Sequence, residues 1–275
     1  MVKRGEKRMK SEISFCDILR AKNRRAQVTI FIIVAIVIVV AGLLIYFVYP
    51  KIKAGAGFDS KNPSAFIQTC IEDEIKNNVK IISSQGGSSN PEFFYLYDNS
   101  KIEYLCYTNQ DYLPCVMQQP MLKQHIEDEI KNSVGNQAKV CFNELKANYE
   151  KQGENPNLVE GATSVELLPG KIAVTFNNVL TLTKAGSERY ENFKVVLNNN
   201  LYELVGIANS ILEWEVVYGD ADTSSYMNYY PDLKVEKKKQ EDGTKVYILT
   251  ERNTENKFQF ASRSMAWPSG YGSVA

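Results

Sequence analysis

The chain has 275 residues, with 32 Lys and Arg against 32 Asp and Glu, five cysteines and one histidine. A single histidine leaves little scope for Ser-His or Cys-His nucleophiles, and no C-x-x-C pair is present to argue for zinc. The neutral total hides a split: residues 1–27 hold nine basic side chains against three acidic ones, while residues 50–275 hold 23 against 29, which excludes a nucleic-acid partner for the larger, acidic part.

After the basic tail of residues 1–27 comes an uncharged run of 22 residues, Val28 to Tyr49. At about 1.5 Å of rise per residue it matches a hydrocarbon layer of about 30 Å. Tyr46 and Tyr49 sit where amphipathic rings favour the membrane interface, and Pro50 follows where a helix stops. The excess of Lys and Arg before the run predicts a single-pass transmembrane helix over residues 28–49, with the N-terminus cytoplasmic and the rest outside the cell membrane. A cleaved secretory signal has a shorter apolar region of about 7–15 residues and a small-x-small site. An uncleaved anchor is therefore the expectation.

Cys16 then falls in the reducing compartment, leaving Cys70, Cys106, Cys115 and Cys141 outside. An even set of four predicts two disulfides, buried free thiols being the alternative. Of the three connectivities, Cys106 with Cys115 and Cys70 with Cys141 are favoured, because the first pair links a strand to the Pro114 turn and the second joins two helices.

Residues 50–62 form a linker. Asn62 and Pro63 open a helix to about Ser83, on which Phe66, Ile67, Ile71, Ile75, Val79 and Ile82 recur at helical spacing. Alternating residues around Asp98-Asn99-Ser100 predict a hairpin from Phe93 to Tyr107. Pro120 opens a second helix, reaching about Glu150. Ile71–Asn77 and Ile126–Asn132 are the same heptapeptide, IEDEIKN, so two similar helices are expected, with Glu72–Lys76 and Glu127–Lys131 as solvated ion pairs. His125 stands beside the second copy and is expected at a helix surface or boundary.

Beyond Gly153 the pattern becomes strand-rich. Val165 to Thr183 predicts a three-stranded meander with turns at Pro169-Gly170 and Asn177-Asn178, and Phe193 to Leu197 a further strand. Asn200 and Glu203 resemble a capping box ahead of a third helix reaching Val216. A Tyr-rich loop, an Asp242-Gly243 hairpin and a strand near Phe258 to Phe260 follow, then a flexible tail over residues 267–275. The fold class expected is α+β, helices packed on antiparallel hairpins and meanders, in two subdomains: 63–153 with the disulfides and 162–266 with the meander.

Candidate chemistry is sparse. Asp220-Ala-Asp222-Thr-Ser224 has the oxygen spacing of a calcium loop, but the glycine and the bidentate glutamate such a loop needs are missing, and Asp222-Thr-Ser has no second copy to make an aspartic-protease pair. No catalytic, cofactor or metal site is expected. Tyr218, Asp220, Asp222, Tyr226, Tyr229 and Tyr230 mix rings with polar groups, the composition of a protein- or glycan-binding surface, or of tyrosines covering a sheet edge.

Arg24-Arg-Ala-Gln-Val-Thr29, running straight into an Ile/Val-rich helix, resembles the class III signal peptide of archaeal type IV pilin-like proteins. The resemblance covers about thirty residues and implies a peptidase cut between Ala26 and Gln27, with the apolar helix forming a filament core. The glutamate usual early in that helix is absent here, where Phe31 and its neighbours are apolar. Three functions follow in order: a non-catalytic membrane-tethered envelope protein that binds or scaffolds a protein or glycan partner; a pilin-like filament subunit; and an extracytoplasmic hydrolase.

Overall fold

The computed structural model describes residues 33–40, 59–183, 186–254 and 256–266. Two compact units divide at Phe58 and Asp59. In the first, residues 33–40 are helical with every side chain exposed. No helix among the described residues is long and apolar enough to cross a membrane. The rest of the expected span 28–49, Cys16, the Ala26–Gln27 junction, most of the linker and the 267–275 tail lie outside the described residues.

The second unit is α+β. Helix α1, Pro63–Ser84, starts where Asn62 Oδ1 accepts from the Ala65 amide at 3.1 Å, and it buries Ile67, Ile71, Ile75, Val79 and Ile82. Helix α2, Leu122–Lys151, buries Ile126, Ile130, Val134, Ala138 and Leu145 on the matching stripe. The two are antiparallel, because Cys70 near the start of α1 bonds Cys141 late in α2, while Ser88, just past α1, meets His125 at the head of α2. Both expected disulfides are present: Cys70–Cys141 with Cα atoms 5.9 Å apart, and Cys106–Cys115 at 5.4 Å.

Sheet A contains β1 (Phe94–Tyr97), β2 (Ser100–Tyr107), β3 (Val116–Met117), β8 (Leu233–Lys239), β9 (Thr244–Glu251) and β10 (Lys257–Arg263), ordered β1-β2-β10-β9-β8 with β3 also on β2. Asp98 and Asn99, at φ 48° and 61°, supply the left-handed turn that a tight β1–β2 hairpin needs. The pairing of β10 with β2 is parallel, the exception in a mostly antiparallel sheet. A bulge in this pair sets Ala261 against Tyr104 and Ser262 against Cys106. Leu105 is left over, so Leu105 and Cys106 both turn inward and both are fully buried.

Sheet B contains β4 (Asn155–Val159), β5 (Thr163–Leu168), β6 (Lys171–Thr183) and β7 (Ser187–Asn198). Strand β7 runs the length of β6, while β5 and β4 follow one another along its other edge. The expected turn at Asn177-Asn178 is instead a bulge within one continuous strand. Asn178 Oδ1 accepts from the Gly161 amide at 2.8 Å, and a Cβ on Gly161 would stand 1.9 Å from the Asn177 carbonyl oxygen, so only glycine fits this approach. The stretch expected to join two subdomains thus carries β4, and residues from Asp59 onward form one compact unit.

Helix α3, Leu201–Tyr218, lacks the capping box. Asn200 has φ −91° and ψ 21°, not the extended geometry of such a cap, and its side chain accepts from Thr254 and Asn256. Asn199 Oδ1 takes the Leu201 amide instead, and Glu203 takes the Gly170 amide. Within the Tyr-rich loop lies a short helix, α4, Thr223–Tyr229.

Candidate functional site

The structure separates the six residues of the expected binding surface into two groups. Tyr218 ends α3 beside Trp214, ring centroids 4.8 Å apart, and both are about half exposed. Residues 210, 214, 217 and 218 share one helical face. Tyr226 Oη meets Ser210 Oγ at 2.8 Å, which ties α4 to that face, and burial raises the Tyr226 phenol. Tyr229 and Tyr230 follow, exposed by 82 % and 54 %. Exposed rings therefore stand at two places: the Trp214–Tyr218 pair at the end of α3, and Tyr229 with Tyr230 at the end of α4. Trp214 was missed in the sequence because it falls inside an apolar helix, where its helical spacing from Tyr218 was the available signal.

The two aspartates do other work. Asp222 caps α4, accepting from the Ser224 amide at 2.9 Å and Ser225 Oγ at 2.6 Å, which lowers its carboxyl. Asp220 joins a cluster of lysines: Lys237 at 2.8 Å, Lys239 at 3.4 Å and Lys245 at 3.5 Å. Burial alone raises the Asp220 carboxyl, but the bonded Lys237 ammonium, with Lys245 and Lys239, outweighs it and holds the group below the ordinary aspartate range.

Beneath this lies a closed ionic core. Glu215, fully buried on α3, receives Lys245 Nζ at 2.6 Å, Ser262 Oγ at 2.9 Å and the Tyr247 hydroxyl. Burial and the Glu215 charge push the Tyr247 phenol well up. Lys245 also donates to the Gly219 carbonyl. Each polar atom is spent inside the cluster, so it locks α3 onto β9 and β10 and leaves nothing facing a substrate.

His125 is half-buried, at a helix boundary, and its Nε2 lies 2.8 Å from Ser88 Oγ. That spacing is suggestive of a nucleophile and base. Ser88 Oγ also donates to Glu103 Oε2 at 2.5 Å, and while that bond holds its hydrogen the imidazole fills the Ser88 contact as donor. Burial raises the Glu103 carboxyl, partly offset by the Ser88 bond and the His125 side chain. Ser89 is fastened beside it, its amide and hydroxyl both donating to Glu129 Oε2 at 2.8 and 2.6 Å. The group is a strap holding the Gly86–Ser89 turn between β2 and α2.

The twin heptapeptides also diverge. Glu72 pairs with Lys76 at 2.5 Å as expected, but Glu127 pairs with Lys123 at 3.0 Å, not with Lys131, because its other interaction, the Leu167 amide at 2.8 Å, draws it toward β5. Among the described residues no three metal-ligating side chains converge. No protein-family model, curated protein or solved structure matches the chain.

Proposed function

We propose that the chain is a single-pass membrane protein of the cell envelope whose domain after residue 58 is an outward-facing, non-catalytic binding module. The observation that carries this reading is the set of exposed rings, Trp214 with Tyr218 at the end of α3 and Tyr229 with Tyr230 at the end of α4, residue types that dominate binding hot spots. The anchor is supported by the 22 uncharged residues of Val28 to Tyr49 and by the helix over 33–40, apolar and exposed on all sides, which needs a non-aqueous surrounding.

Two measurements test the reading. Protease added to right-side-out vesicles is expected to degrade the domain beyond Pro50, and full protection refutes the topology. A photo-crosslinking residue at Tyr229 is expected to capture a discrete partner, with Trp214→Ala weakening capture by about 2 kcal/mol, or thirtyfold. Capture indifferent to Trp214 refutes the surface. The second reading, a pilin-like subunit, rests on the basic-Ala26-Gln27-apolar order; intact mass decides it, since a cut before Gln27 removes the whole basic tail.

A further inference from the structure

A second surface, independent of the aromatic one, is an open groove of about 540 Å³ between the head of α2, the start of β5 and the middle of α3. Its size falls in the range of small-molecule sites, about 300–1,000 Å³. Its walls mix polar and apolar surface. Gln124, Asp128, Lys131, Thr163, Ser164 and Asn209 all line it, and none of these six side chains makes a hydrogen bond or ion pair with another described residue. They present amide, hydroxyl, carboxylate and ammonium groups from three separate elements toward one space.

The comparison between the twin heptapeptides explains how this came about. In α1, Lys76 is neutralised by Glu72 at 2.5 Å and Asp73 at 3.9 Å. In α2 the matching Glu127 is held by Lys123 and the Leu167 amide, so the counterparts of Asp73 and Lys76, namely Asp128 and Lys131, are left open to the groove. One free negative and one free positive charge cancel, which disfavours both an anion such as a phosphate and a cation. Met121, 65 % exposed, and Val165 add apolar surface to the same walls.

We propose that this groove binds a neutral saccharide. A sugar ring carries hydroxyls that both donate and accept around its rim and C–H groups on its faces, so it matches donors and acceptors interleaved with apolar surface. Asp128 accepts from a pair of hydroxyls, Asn209 and Gln124 each donate and accept, and Met121 lies against a ring face.

The test is isothermal titration of the detergent-solubilised full chain with neutral gluco-, manno- and N-acetylglucosamine oligosaccharides, with oligogalacturonate as the acidic comparison and a tetra-alanine peptide as the non-sugar one. Saturable binding of a neutral oligosaccharide is expected, with Asp128→Ala and Asn209→Ala each weakening it about tenfold and thermal unfolding unchanged. Trp214→Ala is expected to leave sugar binding intact, so failure of the aromatic surface and failure of the groove are distinguishable. No neutral oligosaccharide bound, preference for the acidic sugar or the peptide, or affinity unchanged in both groove variants overturns the proposal.

Discussion

Lys245→Met is expected to cost about 3–5 kcal/mol of stability, read as a lower urea midpoint at pH 7, because it strands the buried Glu215 carboxylate without its countercharge. Removing both charges with Glu215→Met and Lys245→Met should cost less than Lys245→Met alone. It does not restore everything, since Tyr247 and Ser262 lose their acceptor. A single variant within about 1 kcal/mol of the parent sinks the view that this cluster holds α3 on sheet A. Acid should erode the neighbouring part of the same network. The Asp220 carboxyl is lowered in the folded protein, so its contribution is complete above the unfolded value of about 3.9 and is lost as pH falls through the folded one.

The second large effect concerns Cys70–Cys141, whose loop spans 71 positions. In the chain-entropy account, opening it with Cys70→Ser and Cys141→Ser releases the unfolded chain by about 4 kcal/mol, against about 3 kcal/mol for the nine-position Cys106–Cys115 loop. Each pair changed to serine, compared by thermal unfolding, should rank in that order. Equal losses would mean that local packing around the sulfurs outweighs loop length. Peptide mapping without reductant should recover the 70–141 and 106–115 links, and a 70–106 or 115–141 link contradicts the fold directly.

Features decided by nearby residues were legible in the sequence. Asn62 before Pro63, the Asp98-Asn99 turn and the isoleucine stripe of α1 each follow from interactions a few positions apart, and the cysteine pairing followed from placing two of the four on facing helices. Features decided at a distance were not. Asn177-Asn178 has turn chemistry, yet the Gly161 amide arriving from the β4–β5 connection makes it a bulge. Asp220 and Asp222 looked alike beside the tyrosines, but one is claimed by lysines on β8 and β9 and the other by its own helix. His125 met Ser88 only because α1 and α2 fold back on each other, 37 positions apart. The groove side chains come from α2, β5 and α3, so no local spacing announces them.

The parallel pairing of β10 with β2 also sets a schedule. Arg263 bonds the Thr108 carbonyl across 155 positions, and β10 is an interior strand of its sheet, flanked by β2 and β9. During synthesis at about 5–20 residues per second, one edge of β2 therefore waits on the order of ten seconds or more for its neighbour. A nascent chain halted before Lys257 would lack a middle strand rather than an edge, with β2 and β9 both open. Such a shortened chain would be prone to stick to others, and folding helpers that shield open strand edges would matter most for the first-made part of the sheet.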